Sequence, residues 1–178
     1  RRPDLASVTH VDADMMFFSS PKPLFEEIGA APVAVSPHRF SAPYRHSARS
    51  GRFNAGLIHW RNDPVGRRCL EDYRDDCLDW CEAEALPDGR FMNQGYLTAW
   101  PDRYPGVHVI THPGVNVAAW NLANLPVRRS LRQVRIGGEP LILFHATMVM
   151  TDGNSAWRVR IREPEAHRWL ATAIRAIY

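Results

Sequence analysis

Two carboxylates one residue apart, Asp12 and Asp14 in Val11-Asp12-Ala13-Asp14, follow an apolar run that reads as a buried strand over residues 7–12. Alternate positions along an extended chain share a face, so both acids can turn toward one point where the strand unravels into a loop. Two carboxylates at one point repel unless a cation lies between them, which makes the pair a candidate divalent-metal site. A chain this rich in aspartate is also expected to hold roughly one Asp-x-Asp by chance. A solvated pair of acids at a strand end is therefore the alternative. His145, near the end of the apolar run over residues 141–147, reads by itself as a histidine that closes its strand.

The elements that would position these groups alternate along the chain. After residues 7–12, Met15 to Phe18 continue apolar to a Ser-Ser-Pro break. Ser20 suits an N-cap, Pro21 the first helical position, Leu24, Phe25 and Ile28 the apolar stripe, and Gly29 the end. Residues 33–36 predict a strand, and residues 37–51, rich in His, Arg, Ser and Pro, a loop over the site. Residues 53–60 predict a strand, followed by a helix from Asn62-Asp63-Pro64 to about Glu84 with Leu70, Tyr73, Cys77, Leu78 and Cys81 inward. A further helix is expected from Asn93 to Pro101, with Tyr96, Leu97 and Trp100 inward. Strands over residues 107–110 and 141–147 and a last helix from Pro164 complete an α/β pattern, taken as one domain over residues 1–178.

Composition narrows the function classes. A hydrophobic share of 45% against 23% charged is that of a globular chain, and no apolar run approaches the roughly eighteen residues of a membrane span. The formal charge is +3 and Lys22 is the only lysine, which does not indicate non-specific nucleic-acid binding. Arg128, Arg129, Arg132 and Arg135, and the alternating Arg158, Arg160 and Arg162, read as solvated faces or as bidentate grips on phosphate. Cys69, Cys77 and Cys81 share one helical arc without a Cys-x-x-Cys pair, as small core hydrophobes in a reducing, cytoplasmic compartment would. The chain opens on Arg1 without a secretory signal.

The Asp-x-Asp does not stand alone. Thr9-His10-Val11-Asp12-Ala13-Asp14, Gly51-Arg52-Phe53-Asn54-Ala55-Gly56-Leu57-Ile58, Asn93-Gln94-Gly95-Tyr96-Leu97, Trp120-Asn121 and Phe144-His145 follow one another in that order. This ordered set resembles the glycogenin-like retaining glycosyltransferases of the GT-A fold, and more closely the bacterial sugar transferases related to them, over residues 8–147. The resemblance implies an α/β, GT-A-like nucleotide-diphospho-sugar transferase fold. It implies transfer of a hexosyl group from a nucleotide-diphosphate sugar to a hydroxyl acceptor, with retention. It also implies that Asp12, Asp14 and His145 hold manganese or magnesium against the donor's diphosphate. By the same match Asn54 and Gly56 face sugar hydroxyls, Gln94 lies near the anomeric carbon with Asn93 beside it, and Trp120 and Asn121 belong to the substrate site. In the expected loop, Arg39, beside His38, meets acceptor or diphosphate or is merely polar surface; Trp100 and Trp120 wall a sugar or fill the core.

Three departures accompany the resemblance. Asn93 stands where relatives usually carry an aspartate, and at that place it is also a good helix N-cap. No Gly and Lys-Pro-Trp segment follows His145, leaving Arg158 or Arg160 as substitutes. Relatives carry a nucleotide-binding βαβ region before the Asp-x-Asp, so the N-terminal, base-binding part is expected to be absent from this chain. A non-catalytic carbohydrate-binding or structural remnant is thus the alternative to a transferase. An Asp-based phosphohydrolase ranks lower, since Met15-Met16-Phe17 follows where Gly-Thr is usual.

Overall fold

The computed structural model of the chain describes residues 4–130, 133–146, 149–151 and 157–159. The expected helix from Pro164, Arg132, Thr147, Arg160, Arg162 and the side chain of Arg158 lie outside the described residues.

The strand run Phe53–Arg61 (FNAGLIHWR) is buried at every position but the last, so it must be covered on both faces. The elements in chain order are β1 (Ser7–Val11), β2 (Met15–Phe17), α1 (Lys22–Ile28), β3 (Val33–Pro37), a 3₁₀ helix (Ala42–Ser50) and β4 (Phe53–Arg61). Then come α2 (Pro64–Asp79), a 3₁₀ helix (Gly95–Ala99), α3 (Trp100–Arg103), β5 (Val107–Val109) and β6 (Val117–Ala118). A short 3₁₀ turn (Leu122–Asn124), β7 (Val127–Arg129), β8 (Val134–Ile136), β9 (Glu139–Pro140), β10 (Leu143–His145), β11 (Val149–Thr151) and β12 (Trp157–Val159) follow. Among the described residues one sheet has the order β1-β4-β3-β5 and a second β2-β10-β6, with small antiparallel sets β7-β8-β9 and β11-β12 beside them. The α/β class expected from the sequence is the class observed.

The first sheet separates two cores. On one face Val33, Val35, Phe53, Ile58 and Trp60 pack with Cys69 of α2 and with Leu97, Trp100 and Tyr104. On the other, Ala34 and Leu57 pack with Leu24 and Ile28 of α1 and with Ile142 and Leu143 around β10. The inward residues of β4 change from odd to even numbers because its pairing with β3 skips: Val35 faces Ile58, but Ser36 faces Asn54. Residues 55–57 form an irregularity in the ladder, as bulges do where a strand must re-aim its side chains. Ser36, fully buried, lies with its hydroxyl 3.5 Å from the Asn54 carbonyl and 3.4 Å from that of Leu57, spanning the irregularity.

Several expectations are corrected. β1 is an edge strand with Val8 45% exposed, not a buried one, because among the described residues it pairs with β4 alone. The stretch expected as a loop coils into the 3₁₀ helix Ala42–Ser50. α2 stops at Asp79, short of Glu84, and Leu78 is 79% exposed. Its inward line is Val65, Cys69 and Tyr73, because Asp72 and Asp76 also turn inward to meet Arg103. Cys77 is half-buried and Cys81, beyond the helix end, is exposed, so the three thiols share no core face. Asn93 is no N-cap: Gln94 holds that position in the 3₁₀ helix without a side-chain bond, and Pro101 lies in the first turn of α3 where it was expected to end a helix. Trp100 is 1% exposed in the first core and walls no sugar. No helix among the described residues is long and apolar enough to cross a membrane.

Candidate active site

Asp12 and Asp14 lie in a tight turn that leaves the first sheet and enters the second. The Asp12 amide donates to the Gly56 carbonyl (2.9 Å), the Met15 amide closes the turn onto the Asp12 carbonyl (3.0 Å), and the Asp14 carbonyl accepts from the Ala146 amide (2.8 Å). His145, at the end of β10, pairs with Met15 of β2 on one side and with Ala118 of β6 on the other. Backbone pairing from three elements thus brings together residues far apart in the chain. One ligand atom from each of Asp12, Asp14 and His145 lies within 4.8 Å of the others.

The cluster is electrostatically lopsided. His145 Nε2 lies 3.2 Å from Asp14 Oδ1, with the imidazole 5% exposed and the carboxylate 46%. Nδ1 of the same ring lies 3.4 Å from the Asn116 side-chain oxygen, and the Asn116 amide nitrogen donates to the Pro37 carbonyl at 3.4 Å. A carbonyl only accepts, so the Pro37 contact orients the Asn116 amide and directs its oxygen at His145. With the proton on Nδ1 the Nε2 lone pair is open to a cation beside Asp14; with the proton on Nε2 the ring donates to that carboxylate instead. Burial lowers the His145 pKa and the Asp14 and Asp12 charges raise it, with burial prevailing. A neutral ring can turn an Nε2 lone pair to a cation held by the two carboxylates. The donor set of two carboxylates and one imidazole fits manganese or magnesium. His10 Nε2, on the exposed side, lies 2.8 Å from Asp12 Oδ1.

Gly56 joins this cluster to the next. A Cβ there would lie 2.5 Å from Met15 Cε, 2.7 Å from Asn54 Oδ1 and 2.9 Å from His145 Cε1, distances at which something must shift. Asn54 Oδ1 accepts from the Gly56 amide (3.1 Å), while Nδ2 faces Gln94 Oε1 (3.4 Å) and His38 Nε2 (3.5 Å). His38 donates from Nδ1 to the Gly51 carbonyl (3.0 Å) and stacks on Phe40 with centroids 4.5 Å apart. Burial pushes its pKa down to about 4, so the ring is neutral and offers Nε2 as an acceptor.

Other expected site residues are committed to scaffolding. Asn121 donates to the His38 and Asn116 carbonyls (both 2.9 Å) and accepts from the Ala118 amide (3.0 Å). The Trp120 indole donates to the His38 carbonyl (3.0 Å), and its ring edge meets His145 with centroids 5.1 Å apart. Arg39, with φ of 54°, donates to the carbonyls of His112, Pro113 and Val115. Asn93 lies against the Tyr73 hydroxyl, while its neighbour Gln94 faces Asn54. Sequence reasoning overlooked Asn116, although a polar residue between Val115 and Val117 in an apolar run was a usable signal. It is fully buried in the left-handed region (φ 55°), which asparagine tolerates better than most residues.

Solved structures similar to this fold include glycosyltransferases. The galactosyltransferase LgtC, in complex with donor and acceptor sugar analogues, superposes with a TM-score of 0.50 at 18% identity, covering 96% of this chain and 62% of LgtC. An active-site mutant of LgtC gives a TM-score of 0.52 at 13% identity with the same coverage. The fold is that of the GT-A glycosyltransferases. GlyE of Streptococcus pneumoniae TIGR4, also a glycosyltransferase, gives 0.50 at 17% identity over 95% of this chain and 40% of GlyE. In sequence the chain is 31% identical over 166 residues to YfnD and 34% identical over 151 residues to YfnF, uncharacterized proteins of Bacillus subtilis (strain 168). The chain spans about half the length of these relatives, 53% and 50%, while the alignments cover 90% and 80% of it. No family model matches it.

Proposed function

We propose that this chain is the cation- and sugar-holding part of a glycosyltransferase that moves a hexosyl group from a nucleotide-diphosphate sugar to a hydroxyl, with retention. The observation that carries the reading is the convergence of Asp12, Asp14 and His145 within 4.8 Å, with Nε2 of His145 turned to Asp14. These three residues would hold Mn2+ or Mg2+. When bound, the ion supplies positive charge to the leaving diphosphate. Asn54, oriented by Gly56, offers its amide to sugar hydroxyls, and Gln94, next along the same line, turns its carbonyl oxygen toward that place. In the transfer the bond from anomeric carbon to diphosphate breaks, the acceptor oxygen bonds to that carbon, and the hydroxyl proton leaves with the departing diphosphate or to water. Trp120, Asn121 and Asn116 set the position of His145 and of the His38 backbone.

One observation favours a non-catalytic remnant instead: Asn93 stands where an acid is expected and faces Tyr73.

Titrating Mn2+ into the chain, followed by the loss of the free-ion paramagnetic resonance signal and then by uridine or guanosine diphosphate, tests the proposal. One ion per chain, lost in Asp14→Asn, and nucleotide binding that needs the ion are expected. An undiminished free-ion signal would sink the metal site; ion binding without nucleotide binding would favour the remnant.

A further inference from the structure

Beyond His38 the site opens into a cleft of about 1310 Å³ between the 3₁₀ helix Ala42–Ser50 and the segment of residues 85–103. Its lining includes His38, which contacts Asn54, and Gly95, next to Gln94. A molecule lying in the cleft therefore borders the place where the reading above puts the sugar.

The charges along this cleft are not balanced. Its walls carry Arg39, Arg49, Arg52, Arg90 and Arg103 against Asp76, Asp88 and Asp102. Asp88 is paired with Arg90 (2.9 Å) and Asp76 with Arg103 (3.4 Å), while the Arg39 guanidinium is taken up by backbone carbonyls. Among the described residues no carboxylate forms a salt bridge with Arg49 or Arg52, both exposed. Their placement is built in. Arg49 ends the 3₁₀ helix, Gly51 at φ 100° reverses the chain, and the Arg52 amide is held by Thr98 Oγ1 at 3.1 Å. The Arg52 guanidinium lies 4.9 Å from the Phe53 ring centroid, which limits where it can swing. Two exposed guanidiniums lining the cleft, with no carboxylate partner among the described residues, are suited to phosphate or carboxylate oxygens, which a fork of N–H donors can grip in pairs.

We infer that this cleft takes an anionic acceptor, a hydroxyl-bearing chain with phosphodiester or carboxylate groups that Arg49 and Arg52 engage while its end reaches Gln94. The inference rests on the transferase reading for the word acceptor, though not for the binding itself. The test uses the whole chain with EDTA present, so that nothing binds through a metal ion. Tryptophan fluorescence follows titration with a glycerol phosphate tetramer, a galacturonic acid tetramer and neutral maltotetraose. One of the two anionic probes should bind about tenfold tighter than the neutral one, identifying the charged group, and Arg49→Gln/Arg52→Gln should erase that preference. The exposed pair Arg128→Gln/Arg129→Gln should leave it intact. Equal binding of all three probes overturns the inference. So does a preference that survives Arg49→Gln/Arg52→Gln or falls equally in Arg128→Gln/Arg129→Gln. A chain that binds no Mn2+ yet keeps the arginine-dependent preference would uphold the anionic cleft and remove the transferase reading alone.

Discussion

Two polar clusters lie on either side of His38, and they are built on opposite rules. In one, Arg39 is held by three carbonyls and Asn121 by three backbone groups, while Glu27 takes donors from His108, Thr111 and His112. In the Glu27 carboxyl, burial pushes the pKa up, but those donors outweigh it and hold the group below its ordinary value. The other cluster gathers two carboxylates and the Nε2 edge of His145 at one point, with His10 on Asp12 as its outer contact and no backbone amide between them among the contacts of these side chains. The first pattern is what a fold does with polar groups it must bury. The second is unfavourable until something positive arrives, and that difference, not the residue types, separates scaffold from chemistry.

The contrast can be broken most severely at Asp14. Asp14→Asn should weaken Mn2+ binding on the order of a thousandfold while circular dichroism and melting stay near those of the parent, since the side chain is half exposed. A parent-like affinity would erase the distinction between the clusters. Next comes His38, buried neutral between them. Its folded pKa is pushed down to about 4 from an unfolded value of 6.5. The unfolded chain thus binds more protons in that window, and stability should be full above pH 6.5 and fall as pH drops toward 4. The slope integrates to on the order of 3 kcal/mol. Urea midpoints across this range check it, and His38→Gln should flatten the curve. Asn121→Ala should cost about 2 kcal/mol in urea denaturation, because the His38 and Asn116 carbonyls and the Ala118 amide lose a partner. Its Mn2+ affinity should change less than about threefold. A large affinity loss there would show that scaffold and site are not separable. The smallest effect is expected at Leu78→Gln, under about 0.5 kcal/mol, since that side chain is 79% exposed.

How far the sequence could be read follows the same division. β3, β4 and the start of α2 were legible because local rules specify them: apolar runs bounded by turns, and an Asp63-Pro64 start whose carboxylate does accept from the Gly66 amide (2.8 Å). The meeting of Asp12, Asp14 and His145 was expected from the ordered pattern, and their ligand atoms do lie within 4.8 Å of one another. What escaped depends on contacts distant in sequence. Leu78 fits a helical stripe, but Asp72 and Asp76 turn inward only because Arg103 and Tyr104 are there to meet them. Asn121 and Arg39 looked like ligand-facing groups since nothing local reveals that carbonyls from residues 38 and 112–116 come to them. The irregularity of β4 at Gly56, which aims Asn54, has no marker in sequence beyond the glycine itself.

The turn over residues 12–15 is stitched to Gly56 of one sheet on its first side and to Ala146, past the end of the other, on its second. An ion gathered there would act like a rivet through two plates, gripping a loop that leaves one layer and a histidine that ends a strand of the next. Occupancy and the alignment of the layers then become a single equilibrium, so Mn2+ should raise the melting temperature in step with its own saturation curve.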